Sequence, residues 1–238
     1  MNKPTKFIDI VIPFNNEYLN LQILLPKILK TIKKIKIFKF KLVFIDDGST
    51  DRGYLLINEI KKKYRHVFLI RNKKRCGQTY SYRKYMQNFN SKYFIRMDAD
   101  NQDDPKNLIK ISKLIVKDYD LILTERKIRK HSLYMILLTF IYNKLISLLF
   151  KNKLKNYSSS LVCFKRKFIS YKNLKHNDHR YLPLIAIDNN AKKIMAFSIL
   201  HKKRIFGTTK YGMFKKVFFA FPEFVYFYLR LKKGYFKN

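Results

Sequence analysis

Apolar residues recur through the first half of the chain in short, nearly continuous runs. "FIDIVIPF" (7–14), "KLVFID" (41–46), "HVFLIR" (66–71), "YFIRMD" (93–98) and "DLILTE" (120–125) are of strand length and rich in Val, Ile and Phe. Each stops at a polar or Pro/Gly turn. Between them the pattern changes to a helical length and period, in "EYLNLQILLPKILKTIKKI", "DRGYLLINEIKKKY", "GQTYSYRKYMQNF" and "DPKNLIKISKLIVKD". The last opens on Asp-Pro, a helix start. Strand–helix alternation of this kind predicts an α/β fold with a mainly parallel sheet and helices on both faces.

The second half is less regular. It predicts a helix over about 132–150, then a loop and strand through "NYSSSLVCFKRKF". A short helix at "HRYLPLIA" and a strand over about 192–201 lead into "HKKRIFGTTKYG". No repeat beyond the alternation and no low-complexity linker interrupts the chain. The division this suggests is one domain over 1–212, including the 132–150 helix, and an amphipathic segment over 213–238.

In an open α/β sheet, ligands bind beyond the carboxyl ends of the strands. "PFNNE" follows the first strand, "DDGSTD" the second and "DADNQ" the fourth, so all three polar clusters are predicted on one edge. Composition sharpens this. The chain has 52 Lys and Arg against 16 Asp and Glu, for a net charge of +36. Seven of those few acids (Asp46, Asp47, Asp51, Asp98, Asp100, Asp103 and Asp104) fall in "DDGSTD" and in "DADNQDD", the third cluster with the two aspartates that follow it. A turn with an N-cap would account for "DDGSTD" alone. Two such clusters on one edge of an acid-poor chain call for a ligand.

Asp98 and Asp100, two residues apart just past a strand, suit a hard divalent cation whose remaining oxygens come from a substrate diphosphate. Asp46 and Asp47 suit hydrogen bonds from a base or from ribose hydroxyls, and Gly-Ser-Thr after them makes a tight turn into a helix N-terminus. The 47% hydrophobic content excludes a disordered chain. The positive charge implies an anionic partner, and nucleic acid is one class to weigh. Here, however, the aromatic residues concentrate in apolar runs rather than interleaving with Lys and Arg, and the acid clusters would repel a phosphate backbone. No nucleic acid is expected.

The two cysteines, Cys76 and Cys163, form no CxxC pair and suggest buried, inert thiols in a reducing compartment. Asp9 and Pro13 interrupt what would be the apolar region of a signal peptide. The runs 133–150 and 217–229 are short of the roughly 20 apolar residues a spanning helix needs. Their basic flanks suit helices lying in a membrane interface, with burial in the core an equal alternative for 133–150.

"VIPFNNEYLNL", "VFIDDGSTD", "RNKKRCGQT" and "RMDADNQDDP" resemble, in order and spacing, the family 2 glycosyltransferases with a Rossmann-like GT-A fold. "LTERK", "SSSLVCFKRK", "HRYLPLIA" and "HKKRIFGTTKYGMFK" resemble the branch that makes polyisoprenyl-phosphate sugars, and the likeness covers about 7–216. It implies a donor pocket for a nucleotide-diphosphate sugar lined by Pro13, Phe14, Asn16, Glu17 and Ala99, with Asp46 and Asp47 on the base or ribose. It further implies Asp98 and Asp100 on the diphosphate and on Mg²⁺ or Mn²⁺, with Gln102 beside the metal and the sugar. Arg126, Arg204 and Lys210 would bind phosphate, and His179 and Arg180 fall near the acceptor side. Where relatives commonly carry an Asp before Gly- or Ser-rich residues, this chain has Asn156. Ending at Asn238, it is expected to lack the multi-span extension that some relatives carry.

The reaction implied is inverting transfer to a polyprenyl phosphate at the cytoplasmic face of an anionic membrane, with the enzyme peripheral or interfacial. Such an acceptor is already an anionic nucleophile and needs positioning and leaving-group stabilisation rather than a base. The alternative acceptor, a hydroxyl of a lipid-linked or surface glycan, needs a base, for which the sequence offers Asp103, Asp104 and Asp178.

Overall fold

The computed structural model describes residues 7–126, 144, 146–150, 159–207 and 213–237, with the side chains of 126 and 213–220 outside that description. Seven strands form one sheet: β1 (Phe7–Phe14), β2 (Lys39–Asp46), β3 (Val67–Arg71), β4 (Tyr93–Arg96), β5 (Leu121–Arg126), β6 (Val162–Lys165) and β7 (Ile194–Ile199). Their order is β3-β2-β1-β4-β6-β5-β7, and β6 alone runs antiparallel to its neighbours. The helices are α1 (Tyr18–Lys34), α2 (Gly53–Lys63), α3 (Gln78–Asn88), α4 (Asn107–Val116), α5 (Leu182–Asp188) and α6 (Met213–Lys232). The first five strands and four helices stand where the apolar periodicity put them, within a few residues.

The alternation of β1 explains why both faces are covered. Ile8, Ile10, Ile12 and Phe14 point into one apolar cluster with Leu21, Leu24 and Ile28 of α1 and Leu108 and Ile111 of α4. Val11 points to the other face, where Tyr82 and Tyr85 of α3, Leu182 and Ile185 of α5 and Phe224 and Phe227 of α6 pack. Asp9 shares that second face and is fully buried. It accepts hydrogen bonds from Tyr85 Oη (2.9 Å) and Ser91 Oγ (2.7 Å), and burial holds its carboxyl above the usual range.

Strand β1 has β2 on one side and β4 on the other, so the chain leaves it in opposite directions at its carboxyl end. That reversal opens a crevice at the sheet edge. Phe14, Asp46 and Arg71 align across β1, β2 and β3, whereas Arg96, the last residue of β4, lies level with Val11. The loop after β4 therefore starts deeper and forms the floor of the crevice.

The C-terminal segment is a helix that contributes to the core. Phe224, Phe227 and Leu231 are buried, while Phe221, Val225 and Leu229 form an exposed stripe four residues apart. Most of the expected 132–150 helix lies outside the described residues. Within it 146–149 are helical, with Ile146 buried and Leu148 exposed. No helix among the described residues is long and apolar enough to cross a membrane.

Candidate active site

A cleft of about 500 Å³ opens at the carboxyl edge, over the reversal between β1 and β4. One wall is the end of β1 with Asp47. Asp98, Ala99 and Asp100 form the floor. Residues 75–79 and 176–180 close the far side, and Arg204 reaches in from the segment after β7. Pro13, Phe14, Glu17, Asp47, Asp98, Ala99, Asp100 and Arg204 were expected from the sequence, and the structure brings them together.

Neighbouring residues divide their tasks. Asp47 lines the cleft and organises its wall: Oδ1 accepts from Asn72 Nδ2 (2.9 Å) and the Cys76 N–H (2.8 Å), and Oδ2 from the Gly77 N–H (2.8 Å). Asp46 is fully buried and outside the lining. Its Oδ1 accepts from the Ser49 N–H (2.8 Å), closing the turn, and Arg71 lies 3.3 Å from Oδ2. Asn16 likewise turns away from the cleft and accepts from the Thr50 N–H (2.8 Å). Asn15 lines the cleft in its place, donating to the Asp47 carbonyl at 2.9 Å. Strand alternation ends at the turn, so adjacent identical residues part company.

Gly48 makes this arrangement possible. It has φ +68°, and a Cβ there would lie 2.5 Å from the Lys74 carbonyl carbon and 2.6 Å from the Arg75 nitrogen. Backbone meets backbone, and neither can yield cheaply. Gly48→Ala is expected to destabilise the protein by about 2 kcal/mol or more, from left-handed strain and the clash together. Urea unfolding checks this, and an unchanged midpoint would refute it.

The floor turns at Asn101, whose φ is +58°, a conformation Asn tolerates better than most residues. Asp100 Oδ1 accepts from the Gln102 N–H (3.1 Å), but burial, with Asp103 nearby, holds its carboxyl above the usual range despite Arg204 and His201. Gln102 is not part of the lining. Its Nε2 donates to the Lys202 carbonyl (3.0 Å) and its carbonyl accepts from the Lys202 N–H (2.9 Å). Asp103 forms a bridge with His201, whose Nδ1 is 2.9 Å from Oδ1, and accepts from Ser160. These bonds clip the 201–204 segment to the floor loop. Arg204 is thereby delivered to Glu17, with which it pairs, and its Nε donates to the Phe206 carbonyl at 2.6 Å.

Several cleft residues lie in the "RNKKRCGQT" motif but were given no role from the sequence. Arg75, Cys76, Gly77 and Thr79 follow β3 and so belong to the same edge by the reasoning that placed the acid clusters. Cys76 is accordingly half-buried at the cleft wall and not a core thiol, whereas Cys163 is buried and its thiol is pushed far up by desolvation. Arg96, next to the floor loop, is a buried cation held by carbonyls: Nη1 donates to His179 (2.6 Å), Nη2 to Ser159 and Nε to Ser160 (3.5 Å). It ties the floor to segments 63 to 83 residues away, a link no local pattern reveals. Arg126 ends β5, and its side chain lies outside the described residues, as do Lys210 and Asn156.

Two carboxylates on the floor fit a divalent cation that shares its shell with a diphosphate. Among the described residues no group of three or more His, Cys, Asp or Glu forms a protein-only cage. The burial-strained Asp100 carboxyl is what such a cation would relieve.

The chain is 26% identical over 213 residues to the undecaprenyl-phosphate 4-deoxy-4-formamido-L-arabinose transferase of Photorhabdus laumondii, covering 89% of this chain and 65% of that one. The protein of the same name in Pectobacterium atrosepticum is 27% identical, with 89% and 64% covered. The chain thus spans somewhat under two thirds of the length of these relatives. Among solved structures, Mycobacterium tuberculosis glucosyl-3-phosphoglycerate synthase, in complex with Mn²⁺, UDP and phosphoglyceric acid, superposes with a TM-score of 0.62. It is 14% identical, with 85% of this chain and 72% of that one covered. A Pyrobaculum calidifontis mannosyltransferase in complex with GDP-Man and Mn²⁺ gives 0.56 at 13% identity, covering 86% and 58%. These likenesses carry the fold, which is of the GT-A type. The model of Glycosyl transferase family 2 matches residues 9–182, nearly three quarters of the sequence, and the chain belongs to that family.

Proposed function

We propose that the protein transfers a sugar from a nucleotide-diphosphate sugar to a polyprenyl phosphate. The observation that carries the acceptor is the state of the carboxylates around the cleft. A hydroxyl acceptor needs a base, and the three candidates are committed elsewhere. Asp103 holds Ser160 and His201. Asp104 accepts from the Lys106 N–H at the start of α4 and pairs with Lys202. Asp178 is buried against Arg230. The cleft instead presents arginines, Arg75, Arg180 and Arg204, around its two floor carboxylates. A phosphate acceptor needs cations and no base. The names of the relatives, undecaprenyl-phosphate sugar transferases, support the same acceptor.

In this reading an acceptor phosphate oxygen attacks the anomeric carbon as the bond from that carbon to the diphosphate oxygen breaks, inverting the centre and releasing nucleoside diphosphate. Asp47 and the 72–77 loop hold the nucleoside. Asp98 and Asp100 would hold Mg²⁺ or Mn²⁺, which stabilises charge on the departing diphosphate. The exposed stripe Phe221, Val225 and Leu229, with the exposed Lys232 and Lys233 at the end of the helix, suits an anionic membrane interface on the cytoplasmic face.

The test is nucleoside-diphosphate release by the purified protein with Mg²⁺ or Mn²⁺ and a panel of nucleotide sugars, with and without undecaprenyl phosphate. Release that requires the lipid phosphate, with labelled sugar entering the organic phase, is expected. Release that requires a glycan instead would overturn the acceptor.

A further inference from the structure

We propose that His179 contacts the substrate: a neutral imidazole fixed with its proton on Nε2 at the cleft wall, it donates a hydrogen bond to a phosphoryl oxygen. The inference rests on the sugar-transfer reading above for its substrate, and on geometry for the residue.

The tautomer follows from Thr79. Its Oγ1 accepts from the His179 backbone N–H (3.2 Å) and lies 2.9 Å from His179 Nδ1. Thr79 is buried, and its hydroxyl proton has no other acceptor among the described residues. Were Nδ1 the protonated nitrogen, that hydroxyl proton would be buried without a partner, at a real cost. With the hydroxyl donating to Nδ1, both Thr79 and Nδ1 are satisfied and the ring proton sits on Nε2.

The ring is held in place. It stacks on Tyr82, with centroids 6.5 Å apart and 24° between planes, and the His179 carbonyl accepts from Arg96. Burial together with Arg96, Arg180 and His176 pushes its ionisation well down, so it stays neutral. Nε2 has no partner among the described residues and is not among the sealed polar atoms, while the residue itself lines the cleft. This neutral N–H thus belongs to the wall of the cleft that Asp98, Asp100 and Arg180 also line. Such a donor matches an anionic oxygen and adds no charge to a site already balanced by arginines.

A purely structural pin would use Nδ1, whereas the proposed contact uses Nε2, and two amides separate them. Asparagine places its amide near Nδ1 and keeps Thr79 company. Glutamine reaches the Nε2 position and keeps the cleft donor. In the lipid-phosphate-dependent release assay on the full chain, His179→Asn is expected to fall roughly ten- to hundredfold, as for a lost hydrogen bond to a charged group, while His179→Gln keeps most of the rate. Thermal stability should rank the other way. The reverse rate order, or equal losses in two folded variants, would overturn the proposal.

Titration with UDP and GDP in Mg²⁺ locates the oxygen. Weaker nucleotide binding in His179→Asn places it on the donor, and unchanged binding with a raised KM for undecaprenyl phosphate places it on the acceptor. An unaltered protein that releases nucleoside diphosphate without needing the lipid would sink the acceptor reading alone, since the asparagine–glutamine comparison still judges His179.

Discussion

Replacing Asp100 with asparagine is expected to lower nucleoside-diphosphate release by about a thousandfold or more, because charge stabilisation at the leaving group is worth several kcal/mol and each 1.4 kcal/mol is a factor of ten. The floor holds two carboxylates, Asp98 and Asp100, and the variant leaves one. The same loss should follow from EDTA treatment of the unaltered protein and be reversed by added Mg²⁺ or Mn²⁺. A variant with near-normal release would remove Asp100 from the chemistry.

Stability should move in the opposite sense. Burial raises the Asp100 carboxyl in the folded state. Any stability linked to this group is therefore full below the unfolded carboxyl range and lost as pH rises through the folded value. At neutral pH the folded protein bears the cost of an ionised, partly buried carboxylate. The asparagine variant is thus expected to melt at the same temperature or higher, and the gap should close in acid. A substantially lower melting temperature at pH 7 would show that Asp100 is structural.

The second large effect lies at the back of the cleft. Arg230 of α6 and Asp178 are both buried, and Arg230 Nη1 donates to Asp178 Oδ2 at 3.0 Å while Nη2 donates to Oδ1. Asp178 also accepts from the Lys175 N–H at 2.6 Å, so the pair anchors the turn that carries His179 and Arg180. Arg230→Met strands a carboxylate in the interior and is expected to cost about 3–5 kcal/mol, read as a melting temperature lower by roughly 10 °C for a domain of this size. Adding Asp178→Asn should return much of that, because the amide removes the buried charge and its oxygen can still accept from Lys175. No recovery in the double variant would mean that packing around Arg230, against Tyr226 and Phe236, and not charge, sets the loss. Glu223, which accepts from Asn177 (2.7 Å) and Arg180 (2.9 Å), connects the helix to two residues that line the cleft. The C-terminal helix therefore couples its exposed stripe to the wall of the site.

The sequence determined the strand–helix alternation, because a half-buried element must show its period in its own residues. It determined the carboxyl edge of the sheet as the place of the site as well, since the polar runs follow strands directly and parallel strands share one end. What it left open was decided by contacts between distant segments. Asp46 and Asp47 look equivalent in the chain, as do Asn15 and Asn16. Which of each faces the cleft depends on how the turn packs against Lys74 and Arg75, beyond the last strand residue, where alternation no longer applies. Gln102 sits in the motif that suggested a metal, but the segment after β7 claims its amide. The antiparallel β6 and the carbonyls that hold Arg96 come from segments more than sixty residues downstream. His179 acquires its tautomer from a threonine one hundred residues earlier. Periodicity and strand ends are local properties, recorded wherever they act. Hydrogen-bond partners drawn from opposite halves of the chain exist only once the sheet has closed the distance between them.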